Sequence, residues 1–137
     1  QVAITPDGKF AYVTNVVGNS VSVIDTSTNT VVDTIDFGLG AGPFDIAITP
    51  NGAFAYVTQS SGLFVIDTAT RTVVATVNLV GGAHGIAITP DGTLAYVAGT
   101  PEEMNRLPPK TTEGGFGGGE RIAADPDFVS SGFDDAS

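Results

Sequence analysis

His84 is the only histidine in the chain and no cysteine is present, so His84 is the one side chain suited to carry a proton near neutral pH. It stands in GGAHGIAITP, where the equivalent stretch 40 residues earlier reads AGPFDIAITP. A metal centre or a nucleophile–base triad requires further ligands or partners converging on the imidazole. A single histidine without cysteine does not furnish the usual nitrogen or sulfur set. His84 therefore reads first as a loop residue before a strand, and second as a contact residue at the mouth of a channel.

The carboxylates offer a different pattern. Asp7, Asp25, Asp67 and Asp91, together with Asn51, recur at matching places in repeated segments. Two carboxylates can share acid–base work, but a catalytic pair is needed once whereas a turn is needed in every repeat. Pro-Asp-Gly and Pro-Asn-Gly are turn sequences with a mechanism: Pro presets φ, Asp or Asn accepts from backbone amides, and Gly8, Gly52 and Gly92 tolerate positive φ. Tyr12, Tyr56 and Tyr96 also share one repeat position. They could form an aromatic stripe for sugars, or pack between repeats with the hydroxyl at a polar edge.

Two words near the C-terminus invite a ligand reading. DPDFVSSGFDD begins like a calcium loop, but Pro126 and Val129 occupy places where that loop needs a flexible residue and an oxygen ligand. GGFGGGER lacks both the Lys-Ser/Thr of a phosphate loop and a dinucleotide fingerprint. Neither word supports a cofactor or a metal, and the sequence gives no reason to expect catalytic residues.

These residues are positioned by a repeat. ITPDGKFAYVTN at 4–15 returns as ITPNGAFAYVTQ at 48–59 and ITPDGTLAYVAG at 88–99, at steps of 44 and 40 residues. Such a period belongs to four-stranded propeller blades, about 40–45 residues each. Within each copy, Phe10, Tyr12 and Thr14 alternate with Ala11 and Val13 at the period of a strand. The second half, VSVIDTSTNTVVDTIDF at 21–37 and LFVIDTATRTVVATVNL at 63–79, pairs two β-branched runs across a Thr-rich turn, as in a hairpin.

The expected architecture is all-β: full four-stranded antiparallel blades at about 2–37 and 44–79 and half a blade at 84–98, in an incomplete or open array. The repeats account for residues 1–100. After Ala98 the pattern is lost. TPEEMNRLPP suggests a helical turn at about 101–107, with Thr100 as cap and Glu103 completing a capping box. Six of the 18 glycines lie beyond Lys110, so 101–137 reads as a Gly-rich, acidic, irregular and largely disordered tail. Two and a half blades fall short of the roughly 4–8 that a ring uses, which suggests a fragment of a longer array or assembly with other chains.

The formal charge of −10 reflects few bases, five Lys and Arg in all, rather than abundant acid. Nucleic acid is excluded as a partner, since Lys9 and Arg71 make no basic stripe. No apolar run approaches the roughly 18 residues of a spanning helix. The chain opens inside a repeat, without a charged-then-apolar leader.

The segments FAYVTN, VSVIDT, TNTVV and ITPDG together resemble the YVTN family of β-propeller repeats, over about residues 1–100. The resemblance implies a propeller of the surface-layer or cell-surface type, an extracytoplasmic location (periplasmic, secreted or cell surface) and a noncatalytic scaffold for protein or glycan contacts. Related repeats also occur in lactonase-like and periplasmic redox propellers, so the alternative is part of an enzyme or cofactor-binding protein whose active residues lie in further blades. Open blade faces also leave room for self-association as a homo-oligomer.

Overall fold

A computed structural model describes residues 1–79 and 82–99, together with the backbone of a strand at 119–123. The expected helical turn at 101–107, and the rest of 101–137 apart from that strand, lie outside the described residues. Those described are all-β, in separate antiparallel sheets that do not close on themselves.

The first sheet runs in order through β1 (Val2–Ile4), β2 (Phe10–Asn15), β3 (Ser20–Asp25) and β4 (Thr30–Asp36). The second repeats it with β5 (Ile46–Ile48), β6 (Phe54–Gln59), β7 (Gly62–Asp67) and β8 (Thr72–Asn78). Corresponding residues pair in corresponding register: Tyr12 opposes Val23 as Tyr56 opposes Val65. Even the irregularity recurs, between Val23 and Ile24 and between Val65 and Ile66. Such a bulge adds local twist.

The third sheet corrects one expectation. Beyond β9 (Ala83–Ile88) and β10 (Leu94–Gly99) it gains β11 (Gly119–Ala123), antiparallel to β10, from within the stretch read as tail. The reason is that an edge strand presents unpaired N–H and C=O groups that any extended segment can satisfy. Strand addition is backbone chemistry, so glycine-rich composition was a poor guide to it. In register, Arg121 now stands opposite Tyr96, where the other sheets have valine.

The sheets stack face to face, and strand periodicity decides which residue meets which neighbour. In β6, Ala55 and Val57 point back to the first blade while Tyr56 points on to the third; all three are fully buried. One core joins Tyr12, Val21, Val23 and Ile35 of the first blade to Ile46, Ala55, Val57 and Ile66 of the second. The other joins Tyr56, Leu63, Val65 and Val77 to Ala83, Ala95 and Val97. Antiparallel alternation also sorts the connections. Turns at 5–9, 26–29, 49–53, 68–71 and 89–93 lie at one end of the stack, and loops at 16–19, 37–45 and 60–61 at the other.

The turn end carries a contact between blades. Gly52 has φ +75°, and a Cβ there would approach Pro6 Cδ of the preceding blade to 3.3 Å; Gly92 stands in the same relation to Pro50. Gly8, with φ +74°, has open space around it. Gly8→Ala should therefore cost about 1 kcal/mol from left-handed backbone strain alone. Gly52→Ala should cost measurably more in denaturant unfolding, and equal costs would contradict the interblade contact.

Candidate functional site

The recurring carboxylates are built into turns. The Thr5 hydroxyl donates to Asp7 Oδ1 at 2.7 Å and the Lys9 amide donates to the same oxygen at 3.0 Å. Asn51 receives the matching pair from Thr49 and Ala53 at the same 2.7 and 3.0 Å. Asp91 receives the hydroxyls of Thr89 and Thr93 and the Thr93 amide. Asp25 accepts from the Ser27 amide and hydroxyl, and Asp67 from the amides of Ala69 and Thr70. Thr26 and Thr68 then tie each hairpin turn to the Gly8–Lys9 and Gly52–Ala53 carbonyls. These oxygens are spent on backbone geometry.

One cation reaches between blades at this end. Arg71 sits at φ +56°, where the first blade has Asn29 at φ +55°. Its guanidinium lies 4.8 Å from the centre of the Phe10 ring and 3.9 Å from Asp33 of the first blade. Burial pushes the Tyr12 hydroxyl pKa up, with the Arg71 charge pulling the other way. A cleft of about 280 Å³ beside them is lined by residues that include Asp7, Tyr12, Asn51 and Thr68. Only Arg71 and Asp33 among these polar groups are not repeated, because the aligned positions are Asn29 and Ala75.

The opposite end holds His84. The residue lies within β9 rather than before it, is exposed, and its ring is tilted 49° against Phe44 at 4.7 Å between centres. Phe44 and His84 occupy the same position in consecutive blades. Next to Phe44 in the chain is Asp45, whose Oδ1 accepts from its neighbour Ile46 at 2.9 Å and whose Oδ2 accepts from Ile86 of the next blade at 3.1 Å. The Asp45 carboxylate is thus a staple between inner strands. Each Asp45 oxygen accepts from a backbone amide, one within its own blade and one from the next.

A second staple was not legible in advance. Thr58, fully buried, accepts from the Asp45 amide at 2.9 Å, and its hydroxyl faces the His84 carbonyl at 3.5 Å. Thr14 does the same one blade earlier, donating to the Phe44 carbonyl at 3.1 Å. In the third copy these positions are Ala98 and Gly85, so neither a hydroxyl nor a carboxylate projects onward. That paired loss was the available signal. The loops above are also braced, with the Gly42 amide donating to Asn19 Oδ1 at 2.9 Å and the Ser60 hydroxyl to the Gly40 carbonyl at 3.3 Å.

The three tyrosines differ in cover: Tyr12 is 1% exposed, Tyr56 0% and Tyr96 45%. The first two lie between blades, so no continuous aromatic stripe faces solvent. Among the described residues no three His, Asp or Glu side chains gather to hold a metal ion.

Neither a protein-family model nor a curated protein sequence matches the chain. Solved structures do. The chain is similar to hydrazine synthase from Kuenenia stuttgartiensis, with TM-score 0.68 and 31% identity over 72% of this chain and 28% of that one. It is similar to a candidate 6-phosphogluconolactonase from Bacteroides fragilis, with TM-score 0.62 and 25% identity over 72% and 31% of the two chains. A counterpart from Bacteroides uniformis has TM-score 0.62 at 20% identity, over 72% and 33%. The chain spans a third or less of each of these proteins, and the likeness supports a β-propeller fold.

Turn hydrogen bonds hold three carboxyls below their ordinary range: Asp7 chiefly through Thr5, Asp25 through Ser27, and Asp91 through Thr89. A carboxyl with a depressed folded pKa contributes stability above its unfolded value, near 3.9, and loses it as pH falls through the folded value. Unfolding stability should therefore decline as pH drops below about 4. Asn51 makes the Asp7 geometry without ionising, so Asp7→Asn with Asp91→Asn should preserve stability at neutral pH and flatten the acid decline. Denaturant titrations across pH check this; an unchanged acid slope in the double variant would contradict it.

Proposed function

We propose that the chain is part of a noncatalytic β-propeller scaffold of the YVTN repeat type, acting outside the cytoplasm and presenting its loop end to a protein or glycan. The observation that carries this reading is the commitment of the recurring chemistry to the fold. Asp7, Asp25, Asp67 and Asp91 each serve their own turn. Chemistry repeated in every blade serves what every blade needs.

The loop end has the features of a contact surface. Val17 is 95% exposed and Leu39 fully so, on loops that Asn19 links through Gly42. Apolar side chains held in water on braced loops favour binding. The Phe44–His84 pair lies at the same end. A catalytic alternative draws support from the kinds of protein the fold resembles, one a hydrazine synthase and two described as candidate lactonases. In that reading the reacting groups lie in blades beyond those described.

Two measurements separate the readings. A glycan array probed with the chain should give binding that Val17→Ser with Leu39→Ser removes while the thermal melt is unchanged. Hydrolysis of lactones or phosphoesters, or turnover of redox dyes, abolished by His84→Ala, would overturn the noncatalytic reading.

A further inference from the structure

The Pro-Asx-Gly turn occurs three times, twice with aspartate and once with asparagine, and Asn51 is the one asparagine in the chain that glycine follows. The others precede valine, serine, threonine, leucine or arginine. An Asn-Gly pair is chemically labile, because glycine has no side chain to keep its own amide nitrogen from attacking the neighbouring Cγ. The folded turn holds the groups that this reaction uses. The Gly52 amide, which is the nucleophile, donates to the Thr49 carbonyl at 2.8 Å. Asn51 Oδ1 accepts from the Thr49 hydroxyl at 2.7 Å and from the Ala53 amide at 3.0 Å. The Gly52 carbonyl accepts from the Thr68 hydroxyl of the hairpin turn, and Pro6 of the first blade packs against Gly52.

We infer that Asn51 is a site of spontaneous modification that the fold keeps closed, hydrolysed to a carboxylate only while its turn is open. The Gly52 nitrogen gives up its proton and bonds to Asn51 Cγ, the Cγ–Nδ2 bond breaks, and ammonia leaves behind a five-membered imide. Water then opens the ring. Addition at Cγ gives aspartate, addition at the main-chain carbonyl gives isoaspartate, and in sum water is taken up and ammonia released. Ring closure needs the Asn51–Gly52 peptide to rotate out of the turn, which breaks the Thr49–Gly52 bond and lifts the Gly52 carbonyl from Thr68. The two products have opposite fates. Asp7 and Asp91 already hold this turn through the same threonine hydroxyl and backbone amide, with Gly8 and Gly92 at φ +74° and +73° against +75° at Gly52. The aspartate product therefore re-forms the turn and adds a negative charge beside the first blade. Isoaspartate lengthens the main chain within the turn, so the Thr49 carbonyl and the Gly52 amide no longer meet.

Peptide mapping by tandem mass spectrometry, on the 137-residue chain held at mildly alkaline pH either folded or in urea, tests it. In urea Asn51 should be the first asparagine to show the mass gain of an amide turned acid. In the folded chain the same change should run about tenfold or more slower, because a local opening equilibrium scales its rate. Thr68→Val, which takes the hydroxyl from the Gly52 carbonyl, should raise the folded rate by about threefold or more, as loss of a hydrogen bond does, and leave the rate in urea unchanged. Pro6→Ala, which removes the ring from Gly52, replaces it if circular dichroism shows that the valine variant does not fold. Asn51→Asp should melt with the wild type at neutral pH. Equal rates in the folded chain and in urea, a folded variant that deamidates no faster than the wild type, or Asn51→Asp losing the fold would overturn the inference.

Discussion

A twisted four-stranded sheet with apolar residues on both faces is stable only when both are covered, and that constraint governs this molecule. The second blade has a neighbour on each side, and β6 is buried along nearly its whole length. In β2 and β10 the burial alternates, with the residues toward a neighbour covered and the others at least partly open. Stability therefore lies between the blades as much as within them, as expected of a solenoid-like array. Burying one large apolar side chain is worth about 1.5–3 kcal/mol, so the difference between a covered and an uncovered tyrosine is large beside any single turn hydrogen bond.

The polar residues divide between two tasks. At the turn end they shape backbone: a threonine and an Asp or Asn close each Pro-Asx-Gly turn, and a second threonine binds that turn to the hairpin. At the loop end they join blades, through Thr14, Thr58 and Asp45. Arg71 is the exception at the turn end, holding a left-handed conformation that asparagine fills more easily while its guanidinium spans to Phe10 and Asp33. Pairs of this exposed kind contribute modestly. They order the seam more than they stabilise it.

Much of the fold was legible because a repeated sequence states its own period. ITPDG followed by alternating FAYVT gives a turn and a strand in each copy, and the Val-Ile-Asp-Thr hairpins give the other half. The strand β11 was not legible, since its pairing depends on a free edge of β10 that only the folded sheet creates. The staples were hidden for a related reason. Thr14 and Thr58 look like ordinary strand residues, and Asp45 stands where the first copy has Gln1 and the third has Gly85. Their role depends on the blade beside them, which periodicity within one blade does not describe. His84 was conspicuous as the sole histidine, yet its placement against Phe44 follows from blade stacking and not from any partner that sequence spacing pointed to.

Amide hydrogen exchange, followed strand by strand on dilute monomeric protein, measures directly whether cover by neighbours sets stability. The slowest amides should be those of β6 and β7, in the blade packed on both sides, with β2 and β3 faster and β9 and β10 faster still. If β10 were as protected as β6, each sheet would be stable by itself and the account built on stacked faces would be wrong.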